Sequence, residues 1–98
     1  MIIVSQDKEK IVNFNNLTQI YITQDEDENA YYIRFETVDS LYEDLGNYKA
    51  EERAKEVLGE IINIYKATEA FKVVSGRVLD STGAVAINKG FVYEMPED

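Results

Sequence analysis

The stretch from Ala50 to Thr68, AEERAKEVLGEIINIYKAT, decides the fold, because it has the clear periodicity of an amphipathic helix. Its apolar residues recur at steps of three and one, which places them on one stripe of a helix surface. These residues are Ala54, Val57, Leu58, Ile61, Ile62 and Tyr65. Glu51 and Glu52 lie in the first turn, where carboxylates complement the partial positive charge of a helix start. The sequence therefore predicts one helix that buries a single face.

A strict alternation of side chains marks the stretch from Ala30 to Thr37 as a strand. Tyr31, Ile33 and Phe35 point to one side, and Tyr32, Arg34 and Glu36 point to the other. This period of two is typical of a strand with one buried face. We expect Tyr31 and Phe35, together with Phe14, to belong to the core.

Further extended segments precede and follow the helix, and short polar turns separate them. They are Ile2–Ser5, Ile11–Phe14, Leu17–Thr23, Leu41–Leu45, Phe71–Leu79, Ala84–Ile87 and Phe91–Met95. Gly46 and Asn47 are expected to end the segment Leu41–Leu45. Pro96–Asp98 are expected to form a frayed acidic tail. Short turns favour antiparallel neighbours. The prediction is a single domain, residues 1–98, of the α+β class, with an antiparallel β-sheet packed against a single long amphipathic α-helix.

The charge balance restricts the partners of the chain. Nineteen acidic residues against ten basic ones give a formal net charge of −9. Such a chain is repelled by phosphate backbones and by anionic lipid surfaces, so neither direct nucleic-acid binding nor membrane binding is expected. The acidic surface serves either solubility alone or contact with a basic partner. No apolar run resembles a signal peptide or a membrane span, so we expect a cytoplasmic protein.

Neither histidine nor cysteine occurs in the 98 residues. Serine therefore has no imidazole base to activate it, and zinc has no thiolate or imidazole ligand. With no disulfide framework, a reducing compartment fits the composition. We predict no catalytic residue, no metal site and no cofactor, and we expect that the protein is not an enzyme.

The aromatic residues offer a candidate binding surface. Seven tyrosines are many for a chain of this length, and exposed tyrosines are enriched at protein interfaces. Tyr21, Tyr32 and Tyr42 are expected on the sheet face opposite the core or near its edge. Arg34 and Arg77 are candidates to anchor a partner or an anionic molecule through paired hydrogen bonds. The alternative for each arginine is an exposed ion pair with a neighbouring acid, and the alternative for the tyrosines is a second, partly buried sheet face.

Three further sites are weighed from the sequence. Asp25, Glu26, Asp27 and Glu28 form an acidic loop that attracts cations but lacks the glycine and the distal glutamate of a calcium-binding loop. Gly46-Asn47-Tyr48-Lys49 precedes the helix and is the candidate cradle for a small anion, although Glu51 and Glu52 oppose it. A carboxylate- or metal-dependent hydrolase is conceivable with nineteen acids, but the sequence singles out no pair.

Several segments also share a family pattern. They are Ile2–Lys8, Ile11–Asn16, Leu45–Leu58 and Val92–Pro96. Together they resemble small uncharacterised proteins encoded by phages and prophages of Gram-positive bacteria. The resemblance implies a genomic context and no active site, since these segments include no catalytic motif.

The function expected from these observations is non-enzymatic binding, by a phage or prophage accessory protein, to a host macromolecule, with a protein as partner. The alternative is a protein that sequesters a small anionic, nucleotide-like ligand with Arg34, Arg77, Lys49 and stacked tyrosines. A small sheet with one covering helix leaves an apolar face or a strand edge to hide, so a homodimer is also expected.

Overall fold

Six strands and one helix make up the described part of the computed structural model, namely residues 1–39, 41–75 and 92–98, with the side chains of 70–75 left out. The elements are β1 (Ile2–Val4), β2 (Ile11–Asn13), β3 (Leu17–Asp25), β4 (Ala30–Thr37), β5 (Glu43–Tyr48), α1 (Glu51–Ser75) and β6 (Val92–Glu94). A short 3-10 turn, Phe14–Asn16, joins β2 to β3.

The strands form two three-stranded sheets, in the orders β2-β1-β6 and β3-β4-β5. The pairs β1–β2, β3–β4 and β4–β5 are antiparallel, whereas β1 and β6 are parallel. The predicted α+β class, with antiparallel sheet packed against one helix, is confirmed. The division into two sheets and the parallel pair were not predicted, because β1 and β6 lie at opposite ends of the chain and no local pattern connects them.

The core lies between α1 and the inward faces of both sheets. Ile33 and Phe35 of β4 are 0% and 2% exposed, which confirms the alternation predicted for that strand. Tyr31 and Phe14 are partly buried against the same core, as expected. The other buried apolar side chains are Met1, Ile3, Ala30, Leu45, Tyr48, Ala54, Val57, Ile61, Tyr93 and Met95.

The buried stripe of α1 differs from the prediction at Ile62, and it includes Ile64 and Thr68, which were not predicted. Ala54, Val57 and Ile61 are fully buried, but Ile62 is 44% exposed, so its assignment to the stripe was wrong. Thr68 is buried instead, two turns after Ile61. Steps of three and four fit the 3.6-residue turn better than adjacent pairs do, which turns Ile62 away from the core.

The helix is also longer than predicted. It begins at Glu51, within one residue of the expected start, but it continues to Ser75 and not to Thr68. The prediction of an extended segment from Phe71 was therefore wrong as far as Ser75. Extending an existing helix adds one hydrogen bond per residue without a new nucleation step, which outweighs the modest strand preference of valine. Within the described residues, no helix is both long and apolar enough to cross a lipid bilayer.

Strand β5 runs through Gly46 and Asn47, where the sequence predicted an interruption. Gln6 explains the difference, because its backbone N–H donates to Leu45 O at 2.8 Å. Its side-chain amide donates to Asn47 O and accepts from Asn47 N, both at 2.9 Å. Gln6 thus makes the hydrogen bonds to the edge of β5 that a neighbouring strand would otherwise make. A β-bulge lies just before Gly46, between the partners of Ile33 and Arg34.

The residues after β6 are held in place, so the prediction of a frayed tail was wrong. Gln6 Nε2 donates to Glu97 O at 2.8 Å, and the Tyr48 hydroxyl donates to Pro96 O at 2.8 Å. Arg53 Nε donates to Asp98 O at 3.1 Å. The acceptors are backbone carbonyls, which the types of side chain in a sequence do not reveal.

Arg77 and the extended segments predicted between residues 76 and 91 lie outside the described residues.

Replacing Gly46 with alanine should destabilise the protein. An added Cβ would lie 3.0 Å from Gln6 Cβ, an atom fixed close to the backbone. Overpacking of this kind costs about 1–3 kcal/mol. Urea unfolding followed by circular dichroism should therefore show a lower midpoint for Gly46→Ala, and an unchanged midpoint would contradict the tight contact.

Gly59 is the matched control in the helix, and there we expect the opposite sign. A Cβ on Gly59 would meet no atom within 4 Å. Alanine in a helix interior is favoured over glycine by about 1 kcal/mol. Gly59→Ala should raise the free energy of unfolding by roughly that amount in the same urea experiment; destabilisation would mean that the helix surface at Gly59 is covered.

Candidate functional site

The outer face of the β3-β4-β5 sheet brings together four of the five predicted partner-binding residues. We call Tyr21, Tyr32, Arg34 and Tyr42 the tyrosine face. Arg34, on the central strand β4, lies opposite Tyr21 of β3 and opposite Asp44 of β5. Tyr32 precedes it by two residues and therefore projects from the same side of the strand. Tyr42 lies just before β5 and is 54% exposed.

Arg34 is the centre of the tyrosine face. Its Nε donates to Asp44 Oδ1 at 2.7 Å and its Nη2 reaches Asp44 Oδ2 at 3.4 Å. Its guanidinium carbon lies 4.0 Å from the ring centroid of Tyr42 and 5.9 Å from that of Tyr32. Both distances permit cation–π attraction. The alternative weighed from the sequence, a cross-strand ion pair, is thus present, and it occurs together with aromatic stacking.

The ion pair is only partly open to water. The side chains of Arg34 and Asp44 are 22% and 33% exposed. The hydrogen bond to Asp44 raises the pKa of Arg34 above its usual value. The guanidinium is therefore held flat and charged in one orientation. The guanidinium packs against the Tyr42 ring, and two of its nitrogens already face a carboxylate of the same chain.

The two tyrosines on β3 and β4 are fixed by carboxylates. The Tyr21 hydroxyl donates to Glu36 Oε2 at 2.8 Å, and that bond raises the pKa of Tyr21. The Tyr32 hydroxyl donates to Glu28 Oε2, and this bond, with some desolvation, raises the pKa of Tyr32 to about 12. Both phenols therefore stay protonated near neutral pH. Fixed aromatic rings lose little entropy when a partner covers them.

The acidic loop, residues 25–28, closes the β3–β4 hairpin at one end of the tyrosine face. Asp25 Oδ1 accepts from the backbone N–H groups of Asp27 and Glu28, at 3.0 and 3.3 Å. Asn29 completes the turn with a positive φ of 51°, which asparagine tolerates. Asp25 and Glu28 thus have structural roles, whereas Glu26 and Asp27 face solvent. The described residues include no group of three or more acidic side chains placed to hold a metal ion.

The loop between β4 and β5, at the opposite end of the face, carries two exposed apolar residues that were missed as functional candidates, beside Tyr42, which was predicted. Val38 and Leu41 are 85% and 86% exposed, next to the half-exposed Tyr42. We call Val38, Leu41 and Tyr42 the apolar loop. Leu41 was predicted to lie in a strand, but β5 begins only at Glu43. The available signal was three large apolar residues within five positions, at the helical spacing i, i+3, i+4 but in a segment too short to form a helix.

Lys49, proposed for an anionic ligand, lies elsewhere. It lines an open cleft of about 490 Å³ with Gln6, Asn47 and Arg53, at the start of α1. Arg34 is not among the residues that line this cleft, and Glu97 and Asp98 form part of its wall. The structure therefore does not bring Arg34 and Lys49 into one pocket, and Arg77 lies outside the described residues.

Comparison of the chain with family models, with curated proteins and with solved structures gives no match.

The bond between Tyr32 and Glu28 can be tested by titration. In the Glu28→Gln variant we expect the pKa of Tyr32 to fall from about 12 toward its usual value of 10.0, because the carboxylate that stabilises the protonated phenol is gone. NMR of tyrosine labelled at the ring carbon that bears the hydroxyl measures this pKa directly.

Glu26→Gln is the control for this titration, because it removes the same charge from the same loop without a bond to Tyr32. It should leave the pKa of Tyr32 close to 12. Equal effects of the two substitutions would mean that loop charge in general, and not the hydrogen bond, sets the titration of Tyr32.

Proposed function

We propose that the protein is a non-enzymatic interaction protein that binds a protein partner through the tyrosine face and the apolar loop. In keeping with the resemblance of its sequence segments, it would be a phage or prophage accessory protein that acts in the cytoplasm of a bacterial host. The partner would be a host protein, for example one of defence or regulation, with a basic surface beside an apolar depression.

The observation that supports this proposal most directly is the exposure of the apolar loop beside the tyrosine face. Val38 and Leu41 each leave more than four-fifths of their surface in water, and the ring of Tyr42 is supported from one side by Arg34. Large apolar and aromatic side chains that insert into a pocket dominate the affinity of protein interfaces. Surface loops that carry such side chains on a rigid sheet are common binding elements.

The charges around the face indicate the chemistry of the partner. Glu28, Glu36 and Asp44 lie among the tyrosines, and Arg34, the cation at the centre of the face, is already paired with Asp44. A partner with lysine or arginine side chains would therefore meet carboxylates and the faces of aromatic rings. The net charge of −9 would also steer a basic protein toward this surface and speed association at low salt.

The pairing of Arg34 with Asp44 favours a protein partner over a small anionic ligand. An anion at the tyrosine face would have to displace a carboxylate bonded at 2.7 Å and would meet the surrounding acids. A thermal-shift series with nucleotides separates the two functions, because a bound ligand raises the melting temperature. We expect no nucleotide to do so.

Substitution of the apolar loop tests the proposal. The immobilised chain should retain a protein from the lysate of a Gram-positive host at moderate salt, and Leu41→Ala combined with Tyr42→Ala should retain at least about tenfold less. Truncation of central anchors typically costs 2 kcal/mol or more. Quantitative mass spectrometry of the retained proteins identifies the partner, and titration calorimetry then measures the loss of affinity.

Ile62→Ala is the matched control, because Ile62 is an exposed apolar residue on α1, away from the tyrosine face. It should retain the partner as the unchanged protein does. Retention of no protein, or of a protein that both variants bind equally well, would contradict the proposal.

A further inference from the structure

The two edges of the β3-β4-β5 sheet differ in how they are covered. At β5, Gln6 bonds to the backbone of Leu45 and Asn47 and so occupies that edge. Strand β3, nine residues long, pairs with β4 on one side. On its other side, no backbone hydrogen bond from the described residues reaches it. Within residues 1–39, 41–75 and 92–98, the outer edge of β3 therefore has no neighbouring strand, and a further strand can pair with it there.

Between its irregular start and Asp25 at its end, strand β3 also lacks the charged residues and prolines that normally protect an open edge. Charged residues, proline and extreme shortness keep edge strands from pairing with other chains. The segment from Ile11 to Gln24 contains no charged residue and no proline, although 30% of the whole chain is charged. Its threonines, isoleucines and Tyr21 are good strand formers.

The inward side chains of β3 are incompletely covered. Ile20 and Ile22 pack against the core but are only partly buried, whereas their cross-strand partners Phe35 and Ile33 on β4 are 2% and 0% exposed. The core thus thins toward the open edge. A strand added beyond β3 would cover the outer sides of both isoleucines.

We propose that β3 pairs antiparallel with β3 of a second copy of this chain, across a two-fold axis at Tyr21. In this register Tyr21 faces its own copy, Gln19 faces Thr23 and Ile20 faces Ile22. Each inward residue meets an inward residue, since the register preserves the alternation of faces. The result is a continuous six-stranded sheet with the order β5-β4-β3-β3-β4-β5.

The sequence of β3 makes a second copy the fitting occupant. The strand is its own complement in this register, as a two-fold interface requires. Two chains that each have a charge of −9 repel each other, so they can approach most easily where charge is absent, and residues 11–24 are such a stretch. The register shift between Leu17 and Gln19 bends the start of β3, which confines the new ladder to residues 19–23.

Sedimentation equilibrium measures the association. The unchanged chain should form a species of twice the mass of one chain, and added salt should strengthen it by screening the net repulsion. Gln19→Lys with Thr23→Lys places like charges opposite each other twice and should weaken the dimer by about tenfold. Gln19→Lys with Thr23→Glu places opposite charges there and should restore it.

Introduced cysteines test the register, because the natural chain has none. Residues directly opposite in antiparallel strands have Cα atoms about 4.5–5.5 Å apart, within the range that a disulfide spans. Tyr21→Cys should therefore cross-link two chains on mild oxidation. Gln19→Cys should cross-link at least about tenfold more slowly, because four strand residues, roughly 13 Å, separate the two copies.

Gln19→Cys combined with Thr23→Cys should cross-link rapidly again, because these residues lie opposite each other. An unchanged chain that stays a single subunit at the highest accessible concentration would overturn the proposal. So would Gln19→Cys cross-linking as fast as Tyr21→Cys, or equal association of the two charge variants. Melting curves show whether each variant is folded.

Discussion

The contacts of Gln6 connect the two halves of this fold. Its backbone and its side-chain amide bond to the edge of β5, and the same amide holds the carbonyl of Glu97. The loop after β1 is thereby attached both to the second sheet and to the residues after β6. Close approach of the two backbones requires a residue without a Cβ at Gly46. The shared core then forms where the inward faces of both sheets meet α1.

The local periodicities predicted the helix start, strand β4 and the α+β class, because each depends on residues near one another in sequence. Local patterns gave wrong predictions where a distant group decides the structure. A strand end was predicted at Gly46 and Asn47, which are turn formers in isolation, because the partner that keeps them extended is 41 residues away in the chain. A free tail was predicted for Pro96–Asp98, although backbone carbonyls there accept bonds from Gln6, Tyr48 and Arg53.

The sequence predicted which residues share the tyrosine face, but it did not predict which groups they contact. Alternation along β3 and β4 placed Tyr21, Tyr32 and Arg34 on one side, and the structure agrees. The acceptor of Arg34 could not be chosen among nineteen acids, because Asp44 lies opposite Arg34 only through the β-bulge in β5. Val38 and Leu41 were missed for a related reason, since apolar residues are expected inside a protein unless a structure shows them in water.

The parallel pairing of β1 with β6 determines when the protein can finish folding. Strands β3, β4 and β5 and the helix are consecutive in the chain, so this half has short-range connections and can assemble early. The central strand of the other sheet has to wait for a neighbour about ninety residues downstream, since Ile3 lies beside Tyr93. During synthesis on the ribosome, β1 would therefore leave the exit tunnel well before β6 and stay without that neighbour until β6 follows, which exposes its apolar side chains to other nascent chains in the interval.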